Sequence, residues 1–268
     1  MNFPLVMGVV NVTPDSFSDG GRGPDAAIAH ARRLIAEGAD ILDIGGESTR
    51  PGAEPVDAAR EIDRVLPVIA AIAAESGVRL SIDTMKPAVA RAAVAAGASM
   101  WNDVTALGFA PESPAVAAEL GCEVVLMHMR GTPRTMNAEA RYGDLLAEVE
   151  DELLARVEAA LAAGVSRDRI WLDPGLGFAK TAEQSLTQLR HLDRFVALGF
   201  PVLLGASRKS FLKAVDPSAV RAEDRLGGSI AAALVGARAG VAAVRAHDVR
   251  ETAQALDLWA VANPKQED

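Results

Sequence analysis

Short apolar runs recur along the chain, separated by longer Ala-rich stretches in which apolar residues return at helical spacing. The runs predict strands over 5–11, 40–45, 79–83, 99–104, 122–128, 169–173, 201–205 and 242–246. The intervening stretches predict helices near 24–38, 56–76, 87–97, 113–120, 139–164, 182–197, 226–240 and 248–262. LVMGVVN and CEVVLMH are continuously apolar rather than alternating, as parallel strands covered on both faces require. Pro24, Pro87 and Pro114 fall near the proposed helix starts, where a missing backbone N–H is tolerated, and Gly38, Gly97, Gly164 and Gly240 fall near helix ends. Eight strand–helix units in regular alternation predict an α/β fold, a (β/α)8 TIM barrel. A doubly wound open sheet is the competing topology, but no G-x-G-x-x-G opens the first helix and the count of eight favours closure. No linker rich in Pro, Gly or Ser divides residues 1–268, so one domain is expected.

In such a barrel catalysis belongs at the C-terminal ends of the strands. Each predicted strand delivers polar residues there, whereas the strand starts show no comparable pattern. The first ends at Asn11 and enters NVTPDSFSDGG, a loop whose oxygens suit a hard cation and whose glycines let the backbone fold over a ligand. The second runs into Glu47, Ser48, Thr49 and Arg50; the third ends at Asp83, and the fourth at Asn102 and Asp103. The fifth ends at Met127 and His128, and the sixth at Asp173. The seventh leads to Ser207, Arg208, Lys209 and Ser210, and the eighth to Arg245 and His247.

Asp83, Asn102 and Asp173 at the mouth of an apolar barrel need donors, and the N–H edge of a flat heterocycle would supply them. The competing role is helix capping, which for Asp103 is as good an account as function. Arg245 and His247 are alternate residues on one side of an extended segment, near Asn11 across the closure, and suggest an oxyanion pocket. Lys209 and Ser210 open the segment after the seventh strand, where helix N-terminal amides would attract an anion. For Arg208 a surface salt bridge is as good a reading as a functional one.

Composition narrows the partners. Lys plus Arg number 27 against 36 for Asp plus Glu, a net charge of -9 without a basic run, which argues against nucleic acid. Individual cations at the mouth therefore matter more. The single Cys122 excludes an internal disulfide or a cysteine-based metal site. His128 and His247 lack a third ligand at zinc spacing, and no G-x-S-x-G turn is present. The absence of a long apolar span or of a signal-type N-terminus leads us to expect a soluble, cytoplasmic protein with no membrane contact.

Taken together, MGVVNVTPDSFSDGG, DIGGESTRPG, SIDT, NDV, DPGLGFAKT, GASRKSF and RAHDV occur in an order that resembles the dihydropteroate synthase family over nearly the whole chain. Departures are small: Met85, Leu107, Ala179 and Ala246 stand where family members often carry other residues, glycine in the case of 107 and 179. The resemblance implies a transferase of folate biosynthesis and a sulfonamide target. It would condense (7,8-dihydropterin-6-yl)methyl diphosphate with p-aminobenzoate to 7,8-dihydropteroate and diphosphate, by an SN1-like route. It also implies that Asp83, Asn102, Met127, Asp173, Phe178, Gly205, Lys209 and Arg245 bind pterin, and that Asn11, Arg245 and His247 hold the diphosphate. Phe17, Ser48, Thr49, Arg50, Pro51 and Ser210 would shape the p-aminobenzoate site. Mg2+ would bind Asn11 and Asp19, and Asp83, Lys209, Arg245 and His247 would carry the catalysis. The segment from Thr13 to Gly21 would act as a lid, and a homodimer through the outer helices is implied. The rival readings are a pterin-binding methyltransferase, which has no use for the diphosphate set, and a silent pterin-binding paralogue.

Overall fold

The computed structural model describes residues 4–13, 23–48, 54–132 and 134–264. Its strands are β1 (Leu5–Asn11), β2 (Ile41–Gly45), β3 (Arg79–Asp83), β4 (Met100–Asp103), β5 (Glu123–Met127), β6 (Ile170–Asp173), β7 (Leu203–Leu204) and β8 (Ala243–Ala246). They form one sheet in the order β6-β5-β4-β3-β2-β1-β8-β7, all ladders parallel. A bridge between Leu172 and Val202 joins the two ends, so the sheet closes as the predicted (β/α)8 barrel. The seventh strand is shorter than expected. Pro201 has no N–H for the ladder and contributes only its carbonyl, which accepts from the Leu172 N–H at 2.9 Å.

Around the sheet lie α1 (Pro24–Ala36), α2 (Ala58–Glu75), α3 (Pro87–Ala95), α4 (Ser113–Leu120), α5 (Leu145–Ala162), α6 (Ala182–Arg190), α7 (Leu192–Val196), α8 (Leu226–Ala239) and α9 (Val249–Ala262). Two predicted helices differ. The fifth begins at Leu145 rather than near 139, because Asp144 caps it through the Ala147 N–H at 3.1 Å and Met136–Glu139 form a separate 3-10 turn. The stretch 182–197 breaks at His191, whose φ of -115° and ψ of 32° leave the helical region. The segment opened by Lys209 and Ser210 is a 3-10 turn, Ser210–Ala214, so the expected helix N-terminus is not there; α8 starts only at Leu226.

Strand parity separates two cores. Outward residues such as Val10, Leu42, Ile82, Trp101 and Leu172 pack against the helices. Inward residues Met7, Ile41, Met100, Val125, Trp171, Leu203 and Ala243 fill the lower barrel. Burying each large aliphatic among them contributes about 1.5–3 kcal/mol, and together they give the mouth a rigid floor.

Candidate active site

The next inward positions build the site. Two residues above that apolar layer on each strand come Val9, Asp43, Ser81, Asn102, Met127, Asp173, Gly205 and Arg245, and beyond them Asn11, Gly45, Asp83 and His247. Register holds them level: Asn11 and Asp83 both pair with Gly45, Asp83 pairs with Asn102, and Met127 with Asp173. The structure thus brings together ten predicted residues, Asn11, Asp83, Asn102, Met127, Asp173, Phe178, Gly205, Lys209, Arg245 and His247, at one end of the barrel.

Charge organises this mouth. Arg245 donates from Nε to Asp43 Oδ2 at 2.6 Å and from Nη2 to Asp83 Oδ2 at 2.8 Å, bridging β8 to β2 and β3. Burial pulls the Arg245 pKa down, but the two carboxylates outweigh it and hold the guanidinium above its ordinary value. Burial pushes the Asp83 carboxyl up to about 7, against the pull of Arg245 and with the push of Asp43. Asp173 is likewise raised by burial, opposed by Lys209. Burial lowers Lys209 to about 8, which Asp173 only partly offsets. Lys209 Nζ donates to the Leu176 carbonyl at 2.6 Å and stands 4.6 Å from the centroid of the Phe178 ring. A Cβ at Gly205 would lie 3.5 Å from Lys209 Nζ and 3.6 Å from Asp173 Oδ2, which places the backbone of this glycine directly against both charged groups.

Tight turns set these side chains. Asp173 Oδ1 accepts from the Gly175 N–H at 2.7 Å; Gly175 has φ of +68°, and a Cβ there would meet the His128 carbonyl oxygen at 2.0 Å. Ala179 at φ +50° and Leu107 at +61° lie in the left-handed region, which favours glycine, in line with the family pattern expected at both positions. Arg208, at +59°, turns the chain into Lys209; its Nε donates to Asp248 at 2.9 Å and its backbone is held by Ser229 and Arg225. That pairing makes Arg208 a brace between the β7 and β8 loops rather than a ligand contact. His247 engages Ser207 Oγ through both its backbone N–H and Nδ1, each at 3.1 Å. Asp103 accepts from the Thr105 N–H and hydroxyl, both at 2.7 Å, and from the Leu107 N–H at 3.0 Å, so it ties down the turn after β4 rather than capping a helix, since α4 begins only at Ser113.

Sequence reasoning missed four buried charged residues, Asp43, Lys180, Lys86 and Glu61. Asp43 lies in the run DILDIGG, and its parity with the rim was the available signal. Lys180 donates to His128 Nδ1 at 2.9 Å and to the Phe178 carbonyl at 3.0 Å; His128 Nε2 donates to Glu152 at 3.0 Å. Burial lowers His128 to about 4 and Lys180 to about 7, so the imidazole is a neutral strut behind the 173–181 loop. Lys86 bonds Glu47 and, at 2.6 Å, the fully buried Glu61; Glu61 shares the buried stripe of α2 with Val65, Val68 and Ile72.

Of the remaining predicted residues, Ser48 is half-buried and Ser210 is exposed on its 3-10 turn. Phe17, Asp19, Thr49, Arg50 and Pro51, and with them nearly all of the expected lid, lie outside the described residues. Among the described residues no group of three or more His, Cys, Asp or Glu could hold a metal. Asn11 offers one half-exposed oxygen at the mouth, which fits a hard cation that takes most of its ligands from a substrate's phosphates and water.

Comparison with known proteins agrees with this geometry. The dihydropteroate synthase of Synechocystis is 46% identical over 255 residues, 93% of this chain and 86% of that protein. The structure of Xanthomonas albilineans dihydropteroate synthase with 4-aminobenzoic acid superposes with a TM-score of 0.93 at 47% identity, covering 99% of this chain and 95% of that one. The same organism's enzyme in complex with 7,8-dihydropteroate gives a TM-score of 0.90 at 44% identity, with coverage of 99% and 95%. A profile of the pterin binding enzyme family matches residues 7–247, a span running from the first strand to the last residue of the mouth. With residues 7–247 matched by that family and 93% of the chain aligned at 46% identity to such a synthase, the chain belongs to the pterin-binding enzyme family.

Proposed function

We propose that this chain condenses (7,8-dihydropterin-6-yl)methyl diphosphate with p-aminobenzoate, giving 7,8-dihydropteroate and diphosphate. The observation that carries this reading is the convergence of Asp83, Asn102, Asp173 and Lys209 on one mouth beside Arg245 and His247. The first four supply acceptors and a donor to the edge of a pterin ring, with Met127 and Phe178 as its apolar walls. Arg245 and His247, with Asn11 across the closure, suit the diphosphate.

In the reaction the methylene C–O bond breaks and its electron pair leaves with the diphosphate; the aromatic amine then forms the C–N bond and loses a proton. Arg245 stabilises negative charge on the leaving group, and Asp83 stabilises positive charge at the methylene carbon. A neutral arylamine is nucleophilic enough to need no strong base, which favours a dissociative, SN1-like order. Mg2+ held by Asn11 and Asp19 would neutralise charge on the departing phosphates. Ser48 and Ser210, with Phe17, Thr49, Arg50 and Pro51, are assigned to the p-aminobenzoate side.

A homodimer through the outer helices is part of the proposal, and the exposed apolar side chains of Leu258 (69%) and Val261 (80%) on α9 support it. A cytoplasmic location belongs to the same proposal; no helix among the described residues is long and apolar enough to cross a membrane. The reading is tested by the formation of 7,8-dihydropteroate from both substrates and Mg2+. Hydroxymethylpterin as the sole pterin product with p-aminobenzoate in excess would overturn it.

A further inference from the structure

Asp43 sits one layer below the rim, between the apolar floor residue Ile41 and the side-chain-free Gly45, with no exposure to solvent. A single oxygen, Oδ2, accepts both from Arg245 Nε at 2.6 Å and from Asn102 Nδ2 at 3.0 Å. One carboxylate on β2 therefore reaches two mouth residues on β4 and β8.

Two consequences follow from geometry. First, Asp43 and Asp83 together take the Nε and Nη2 edge of Arg245, which sets the plane in which the guanidinium faces the mouth. Second, Asn102 commits its amide nitrogen to the floor, and this turns Oδ1 away from Asp43. An oxygen so directed is the acceptor that an N–H edge of a ring needs. The arrangement is not one that maximises stability. Asp43 Oδ1 has no hydrogen-bond partner, nor does Ser81 Oγ at the register-paired position, and such orphaned buried groups are costly.

We propose that Asp43 is a positioning residue: it fixes the Arg245 guanidinium and the Asn102 amide in the orientation that receives the pterin diphosphate. This rests on the reaction proposed above. Asp43 touches no substrate; it acts through the two residues it holds.

The test is the near-isosteric Asp43→Asn variant, measured for kcat, for KM of each substrate, for binding of free pterin by fluorescence quenching and for Tm. The kcat/KM for the pterin diphosphate falls about 10- to 100-fold, as for other supporting-shell losses, while KM for p-aminobenzoate and Tm stay near wild type. In an Arg245→Ala background the same substitution costs less than in wild type, because one of the two groups it positions is gone and only the Asn102 amide remains to be misaligned. Equal losses in both backgrounds, or activity lost only in step with Tm, would overturn the proposal. If Asp43→Asn does not fold, Asp43→Ser gives the same readouts, and failure of both makes Asp43 a structural residue and ends the proposal. A wild-type protein that forms no product would defeat the reaction reading alone. The pterin-binding arm still decides Asp43, with weaker binding in Asp43→Asn supporting it and unchanged binding refuting it.

Discussion

Lys209→Met separates ligand binding from stability at one position. The ammonium donates to the Leu176 carbonyl, lies over the Phe178 ring and approaches Asp173, and burial lowers its pKa to about 8. A charge-assisted hydrogen bond to the pterin is worth about 1.5–3 kcal/mol, and at 1.4 kcal/mol per tenfold its loss weakens pterin binding about 10- to 150-fold. Stability moves the other way. Removing a desolvated charge relieves a penalty of several kcal/mol, which exceeds the roughly 1–3 kcal/mol cost of leaving the Leu176 carbonyl unpaired. The variant is therefore no less stable than wild type at pH 7. Linkage gives a second signature. The folded pKa of Lys209 lies below its ordinary value of 10.5, so the unfolded chain binds more protons and wild-type stability rises with pH between about 8 and 10.5. Lys209→Met reduces that rise, and the part that remains belongs to Lys180, whose folded pKa is also lowered. Urea titrations across this range, beside calorimetric pterin binding, measure both effects. Unchanged pterin affinity, or a stability loss as large as the affinity loss, would refute the assignment.

Other outcomes follow from the same geometry. Gly175→Ala combines a left-handed φ of +68° with a Cβ placed 2.0 Å from the His128 carbonyl oxygen. It should cost about 2–5 kcal/mol in urea unfolding and displace Asp173, so that activity falls further than stability alone explains. The pH profile of kcat/KM for the pterin diphosphate should rise as Asp83 ionises through about 7 and fall as Lys209 deprotonates through about 8. Asp83→Asn should remove the acid limb, and a limb that persists in that variant belongs to another group.

The barrel was legible because its signals are local. Continuous apolar strands, Pro at helix starts and Gly at helix ends each report on a few neighbouring residues, and eight repeats leave little choice of topology. The rim was legible for the same reason: parity places Asp83, Asn102, Asp173 and Arg245 on one face once the strand ends are known. Three-dimensional pairing was not. Asp43 looked like one more residue of an apolar run until Arg245, distant in sequence, and Asn102 were seen to converge on it. The broken helix at His191 is not encoded in periodicity, nor is the two-residue β7, where Pro201 meets β6 through its carbonyl alone. Lys180 stood inside a recognised motif, yet its task, bracing Phe178 and His128 from behind, emerges only with the contacts.

The central claim is tested most directly by mixing purified protein with Mg2+, the pterin diphosphate and p-aminobenzoate, and following products by mass spectrometry. The account predicts 7,8-dihydropteroate and diphosphate in equal amounts, with neither formed by Lys209→Met at a comparable rate. Pterin binding without either product in the wild-type protein would contradict it.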